Sequence, residues 1–144
     1  CSLVGSEMCI RDRMKAVPEC SEKGIGFRYV VLGHIDDMDS MDMGNLLNNL
    51  LSNAVEAAEK KEGNKEVELI IRREGDEIEI GLTNSTAGSV LEKNRGLQSQ
   101  KKDPELHGFG MASIHRIIET YQGEYTYWEE PHYFFQIIVL KMNV

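Results

Sequence analysis

Asn45, Asn48, Asn49 and Asn53 fall within nine residues of one segment, MDMGNLLNNLLSNAVEAAEKKEG. Asparagine is a poor residue for a helix interior, because its amide competes for nearby backbone groups. Each costs several tenths of a kcal/mol against alanine, and four cost roughly 2 kcal/mol in sum. Asn45, Asn49, Asn53 and Glu56 share one stripe at i, i+4, i+8 and i+11. Asn53 is flanked by Leu50, Leu51, Ala54 and Val55, which puts it at the edge of the buried side. An amide oxygen there is a good ligand for a hard cation, and Mg²⁺ takes such oxygens alongside phosphate oxygens. Asn45 and Asn48 read as a solvated polar face.

A second constellation is DPELHGFGMASIHRIIETYQGEY, residues 103–125, with Gly108 and Gly110 at the mouth of an apolar-periodic stretch. A helix start carries unpaired N–H groups and the positive end of the macrodipole, and phosphate is its usual guest. Glycine there lets a ligand approach the backbone. The dinucleotide fingerprint should follow directly on a strand, whereas here a loop precedes the glycines. No Gly-Lys-Ser/Thr occurs, which removes the P-loop.

Asn84 is the third feature. It follows Ile78, Ile80 and Leu82 at period two, so its side chain points to the core-facing side. A buried amide needs a partner. It either starts a turn at the strand end or hydrogen-bonds a base edge in an apolar pocket.

These residues need elements to hold them. Residues 14–23 read as the end of a helix stopped near Gly24, and IGFRYVVLG reads as a strand. Asp39 or Ser40 serves as the N-cap of the asparagine helix. Leu47, Leu50, Leu51, Ala54 and Ala58 form its apolar stripe, and Lys60, Lys61 and Gly63 suit its end. Two alternating strands follow around Glu74-Gly75-Asp76. Residues 85–107 lack a period and form a long loop with the basic pair Lys101-Lys102. Long loops inside compact domains are commonly functional. A helix over 109–121 then carries Met111, Ile114, Ile118 and Tyr121 on one face, ended by Gly123, and a hairpin across EEP closes the chain. The order of elements predicts an α+β fold: a two-layer sandwich with a mixed, mostly antiparallel sheet and helices on one face.

Composition narrows the function. The chain of 144 residues is 41% hydrophobic, enough for the core of one domain. Its net charge of −8 argues against nucleic acid as a partner. No apolar run reaches transmembrane length. Three cysteines give no disulfide framework. Residues 1–13, CSLVGSEMCIRDR, have no period or cap, and LVGSEMCIRDR resembles a translated frame of a transposase-type sequencing adapter. We therefore set 1–13 aside as a non-native segment and expect a domain over 14–144 of an N-terminally truncated protein.

In this order and spacing, NNLLSNAVEA, IGLTNS and KKDPELHGFGMASIHRIIETYQGEY resemble the ATP-binding domain of sensor histidine kinases. That is the GHKL (Bergerat) fold shared with gyrase-type topoisomerases, heat-shock chaperones and mismatch-repair ATPases. The nearest resemblance is to the peptide-pheromone-sensing, accessory-gene-regulator-type kinases, and it spans roughly residues 14–144. It implies ATP and Mg²⁺ as cofactors, with Asn53 as the metal ligand. Asn49 matches the catalytic position where hydrolytic relatives place a glutamate base. Asn84 matches the adenine-reading position, although NSTAG departs from the usual Asp-x-Gly-x-Gly. Gly108, Phe109, Gly110 and Met111 match the second glycine box under the phosphates. Lys101, Lys102 and His107 match the lid, where the lysines either reach phosphate oxygens or form a solvated loop.

The resemblance further implies a cytoplasmic domain of a membrane-anchored, homodimeric protein. Its partners would be an upstream dimerisation domain bearing the phospho-accepting histidine, and a response regulator. That upstream domain is expected to be missing here, so the fragment alone should bind ATP without autophosphorylating. An amide at Asn49 cannot act as a general base, which favours a kinase over a GHKL ATPase. The alternative in another class is a non-catalytic nucleotide-binding interaction module.

Overall fold

The computed structural model describes residues 14–88 and 109–142. The N-terminal segment 1–13 and the loop positions Lys101, Lys102, His107 and Gly108 lie outside the described residues. The elements run α1 (Ala16–Lys23), β1 (Gly26–Leu32), α2 (Ser40–Glu59), β2 (Glu66–Glu74), β3 (Glu77–Ser85), α3 (Phe109–Thr120), β4 (Glu124–Glu130) and β5 (Tyr133–Lys141). The sheet order is β1-β2-β3-β5-β4. β1 and β2 pair in parallel across the α2 crossover, and the remaining pairs are antiparallel. The α+β sandwich expected from the order of elements is the observed one.

Local chemistry explains the boundaries. α1 stops because Gly24 turns left-handed at φ 69. The Asp39 carboxylate caps α2, accepting from the N–H groups of Met41 at 2.9 Å and Asp42 at 3.0 Å. The far end of α2 differs from the expectation. The helix closes at Glu59, and Lys61 N–H bonds back to Ala58 O at 3.1 Å, which tightens the last turn. Gly63 (φ 89) serves the turn beyond the helix and is not its C′ residue.

The end of α3 differs too. Gln122 takes the left-handed conformation (φ 47), while Gly123 N–H reaches Ile118 O at 2.8 Å. This is a Schellman-type closure with the left-handed residue one place earlier than the glycine. Gly123 is needed for another reason. A Cβ there would collide with Val139 O and stand 2.9 Å from Leu140 Cδ2.

The core lies between the helices and one sheet face. Leu46, Leu47, Leu50, Leu51, Ala54, Val55 and Ala58 of α2 are buried. They meet Val67, Leu69 and Ile71 of β2 and Ile78, Ile80 and Leu82 of β3. Each large side chain buried in this way contributes about 1.5–3 kcal/mol. α3 adds Met111, Ile114, Ile117 and Ile118. The opposite face carries Val30, Leu32 and Trp128 at the surface, with Trp128 stacked on Phe135 at 5.1 Å. Among the described residues no helix is long and apolar enough to cross a membrane.

Candidate functional site

The asparagines of α2 divide by environment. Asn45 is exposed, as expected. Asn48 is half-buried, and its Oδ1 accepts from Lys15 N–H at 3.3 Å. It ties the start of α1 to α2 in an exposed bond, so Asn48 is a partly covered member of the polar face. The cause is α1, which packs along that side of α2.

Asn49 and Asn53 are half-buried one turn apart, each beside fully buried neighbours. Asn53 Nδ2 donates to Met111 Sδ at 3.8 Å. Met111 is 3% exposed in the first turn of α3, so the asparagine motif and the Gly-x-Gly motif meet across the two helices. At the other end of the pair, Tyr121 Oη donates to Asp42 Oδ2 at 2.7 Å. The helices therefore run antiparallel.

α3 begins at Phe109, and Gly110 is its second residue. Its opening N–H groups have no partner within the helix, and the macrodipole makes that end positive. With Nδ2 of Asn53 engaged by sulfur, Oδ1 is the atom of this side chain that could serve a cation. Among the described residues no group of histidine, cysteine or carboxylate side chains could hold a metal. A cation here would rest on amide oxygen together with ligand phosphates, and that donor set suits Mg²⁺.

Asn84 keeps the parity assigned to it. It is 2% exposed on the same face as Ile78, Ile80 and Leu82, paired in register with Val67 and Phe134. Its Nδ2 donates to Ser85 O at 3.1 Å.

Two polar neighbours escaped the sequence reading, and the loop placed at 85–107 starts later than expected. Ser85 ends β3 fully buried, its Oγ accepting from Glu66 N–H at 2.9 Å. Thr86 is 3% exposed, and its N–H bonds His132 O at 2.8 Å. The signal was the polar run Thr83-Asn84-Ser85-Thr86 closing an otherwise alternating strand. Such a run reads as a loop, yet here the ladder to β5 and the β4–β5 turn buries it.

The candidate site is therefore a helix pair on the core-facing side of the sheet. α2 packs on β2 and β3, and α3 packs on α2 and β5. Asn53 and Met111 are in contact, Asn49 lies one turn along α2, and Asn84 is buried in the sheet layer beneath. Phe109 and Gly110 open α3. A shallow depression of about 510 Å³ lies on the opposite sheet face, lined by Arg28, Glu68, Thr83, Tyr133 and Phe135, and holds none of these residues.

Comparison with known proteins agrees with this fold. A family model described as the GHKL domain matches residues 38–141. Sensor histidine kinase DpiB of Escherichia coli (strain K12) is 33% identical over 95 residues, covering 62% of this chain and 17% of the relative. The chain thus spans about a sixth of that relative's length. The catalytic domain of histidine kinase ThkA superposes with a TM-score of 0.70 at 18% identity, covering 94% of this chain and 93% of the other. Full-length ShkA in complex with AMPPNP gives 0.71 at 16%, covering 95% and 30%. Mycobacterial sensor histidine kinase MprB gives 0.64 at 15%, covering 94% and 95%. The family match takes in α2, β2, β3, α3 and both strands of the closing hairpin, every element that positions Asn49, Asn53, Asn84 and Met111. The chain belongs to the GHKL domain family.

Proposed function

We propose that the cleft between the middle of α2 and the start of α3 holds Mg-ATP for phosphoryl transfer to a histidine on a separate dimerisation domain. The contact between Asn53 Nδ2 and Met111 Sδ carries this reading, because it brings the asparagine helix to the glycine-led helix start. In this reading Asn53 Oδ1 is the protein's ligand to Mg²⁺, and Asn84 presents its free amide oxygen to the exocyclic amine of adenine. The backbone N–H groups opening α3 at Phe109 and Gly110 face the phosphates, and Gly108 is the preceding glycine of the pair. Lys101, Lys102 and His107 supply lid cations. Mg²⁺, when bound, neutralises phosphate charge, which is most of what phosphoryl transfer requires.

Asn49 decides between reaction classes. A carboxylate there could take a proton from water, whereas an amide cannot. ATP then survives until the acceptor histidine arrives, so the chemistry is transfer rather than hydrolysis. ShkA, which shares this fold, forms a complex with AMPPNP, and that supports a nucleotide as the ligand by analogy of fold. The whole protein, in this reading, is a membrane-anchored homodimer that keeps this domain in the cytoplasm and passes its phosphoryl group to a response regulator.

The test supplies a dimerisation domain with a phospho-accepting histidine in trans, together with radiolabelled ATP and Mg²⁺. Label on that histidine, with little phosphate released in its absence, is the expected result. ATP binding without transfer would make the domain a nucleotide-binding interaction module. Steady phosphate release without an acceptor would make it an ATPase.

A further inference from the structure

The Tyr121 hydroxyl sits against the first turn of α2. It donates to Asp42 Oδ2 at 2.7 Å and accepts from the N–H of Asp39 at 3.3 Å. Asp39 is the N-cap residue that fixes where α2 begins. One phenol oxygen therefore joins the cap and the first-turn acid of the asparagine helix to the end of the glycine-led helix.

Tyr121 is itself held. Its N–H bonds Ile117 O at 3.1 Å, and its carbonyl accepts from Lys141 N–H at 3.0 Å. It is the last residue to continue the α3 hydrogen-bond ladder before Gln122 turns left-handed. The joint is thus braced on α2, on α3 and on the end of β5.

From this joint the two helices run side by side. α3 reaches Met111 after about 15 Å and α2 reaches Asn53 after about 16.5 Å, at about 1.5 Å per residue. There the two side chains touch. The arms are nearly equal, with the joint at one end and the cleft motifs at the other. A tilt of about 4° at the joint moves the far end by about 1 Å over such an arm. Displacements of that size matter to phosphoryl chemistry, which depends on positioning.

We propose that Tyr121 is a positioning residue for the nucleotide cleft, its hydroxyl setting the angle between α2 and α3 and hence the separation of Asn53 from the α3 N-terminus. This rests on the reading of the cleft given under Proposed function. Packing of the ring alone would not do this, since a ring can slide on an apolar surface while a hydrogen bond to the helix cap fixes a point.

The test measures affinity for trinitrophenyl-ATP with Mg²⁺, well below the melting temperature, for the parent and for Tyr121→Phe, Asp42→Ala and Asp42→Asn. Tyr121→Phe keeps the ring and removes both the bond to Asp42 and the one from Asp39 N–H. Asp42→Asn keeps an acceptor oxygen, and Asp42→Ala does not. Tyr121→Phe and Asp42→Ala should each weaken binding about five- to tenfold, and combining them should weaken it no further than Tyr121→Phe alone, which already removes the bond to Asp42. Asp42→Asn should stay within about twofold of the parent. A Tyr121→Phe protein that binds like the parent overturns the proposal, even if it melts earlier, because the hydroxyl would then serve stability alone. Should Tyr121→Phe fail to fold, equal affinities for Asp42→Ala and Asp42→Asn overturn it instead. A folded parent with no affinity for the probe would overturn the reading of the cleft itself, a different failure from loss in the variants only.

Discussion

Asn53 Nδ2 and Met111 Sδ stand 3.8 Å apart, joining residues that are 58 positions distant in the chain. An amide anchored by its nitrogen presents its oxygen away from the anchor, and that oxygen is the atom a hard cation needs. Asn53→Ala should therefore abolish the Mg²⁺-dependent part of ATP binding, an expected loss of at least about tenfold in affinity. The fold should persist, since alanine is the better helix residue. Titration of a fluorescent ATP analogue with and without Mg²⁺ makes the comparison, and unchanged affinity in Mg²⁺ would assign Asn53 to structure alone.

Gly110 is the second residue of α3. A Cβ there would crowd phosphate oxygens brought against the helix start. Gly110→Ala should weaken ATP binding sharply while costing little stability, alanine being the stronger helix former. Mg-ATP should also slow trypsin cleavage at Lys101 and Lys102 as those cations close over the phosphates. Equal cleavage with and without nucleotide, together with parental ATP binding by the Gly110 variant, would reduce the Gly-x-Gly pair to a tight helix entry.

Tyr121 predicts an alkaline limit. Burial first, and then the hydrogen bond to Asp42, push its phenol up from 10.0 to about 12. The fold therefore favours the protonated phenol. A group raised on folding contributes stability fully present below its unfolded value and lost as pH rises through the folded one. The parent should lose stability relative to Tyr121→Phe between about pH 10 and pH 12. Urea melts of both proteins at several pH values read that difference. A constant difference across the window would mean that the phenol does not titrate in this environment.

Gly123 tests the packing of α3 against β5. A methyl group there meets the Val139 carbonyl, which the β-ladder holds in place and which cannot give way. Gly123→Ala should cost about 1–3 kcal/mol or more, as overpacking does. By contrast, Gly44→Ala, where an added Cβ meets nothing within 4 Å, should be neutral or stabilising. Paired denaturant melts distinguish the two sites, and equal behaviour would contradict the close approach at Gly123.

Residues 1–13 are expected to contribute nothing to the fold. Their deletion should leave the melting temperature within about a degree of the parent. A loss equivalent to more than about 1 kcal/mol, several degrees for a domain of this size, would mean that the segment is part of the native structure.

Periodicity identified the longest elements, because each buries one face. The stripe Leu47, Leu50, Leu51, Ala54 and Ala58 has the helical repeat, and Val67, Leu69 and Ile71 have the strand repeat. The parity of Asn84 followed from the same rule, as did the cap at Asp39, since both depend only on local backbone geometry. The family was legible because its motifs are short and tied to those elements. What needed the tertiary structure was every relation between distant segments. Asn48 reads as a surface residue until α1 lies beside it and offers the Lys15 N–H. Gly123 reads as a helix stop until the Val139 carbonyl of β5 fills the space a side chain would need, with Gln122 taking the turn instead. Ser85 and Thr86 read as loop residues until β2 and the β4–β5 turn satisfy their polar groups. Tyr121 reads as one more apolar position until its hydroxyl finds the first turn of α2. Local sequence fixes which face is apolar and where a helix can start. It cannot fix which polar group from elsewhere in the chain will meet an exposed donor or acceptor, because that depends on how the layers stack.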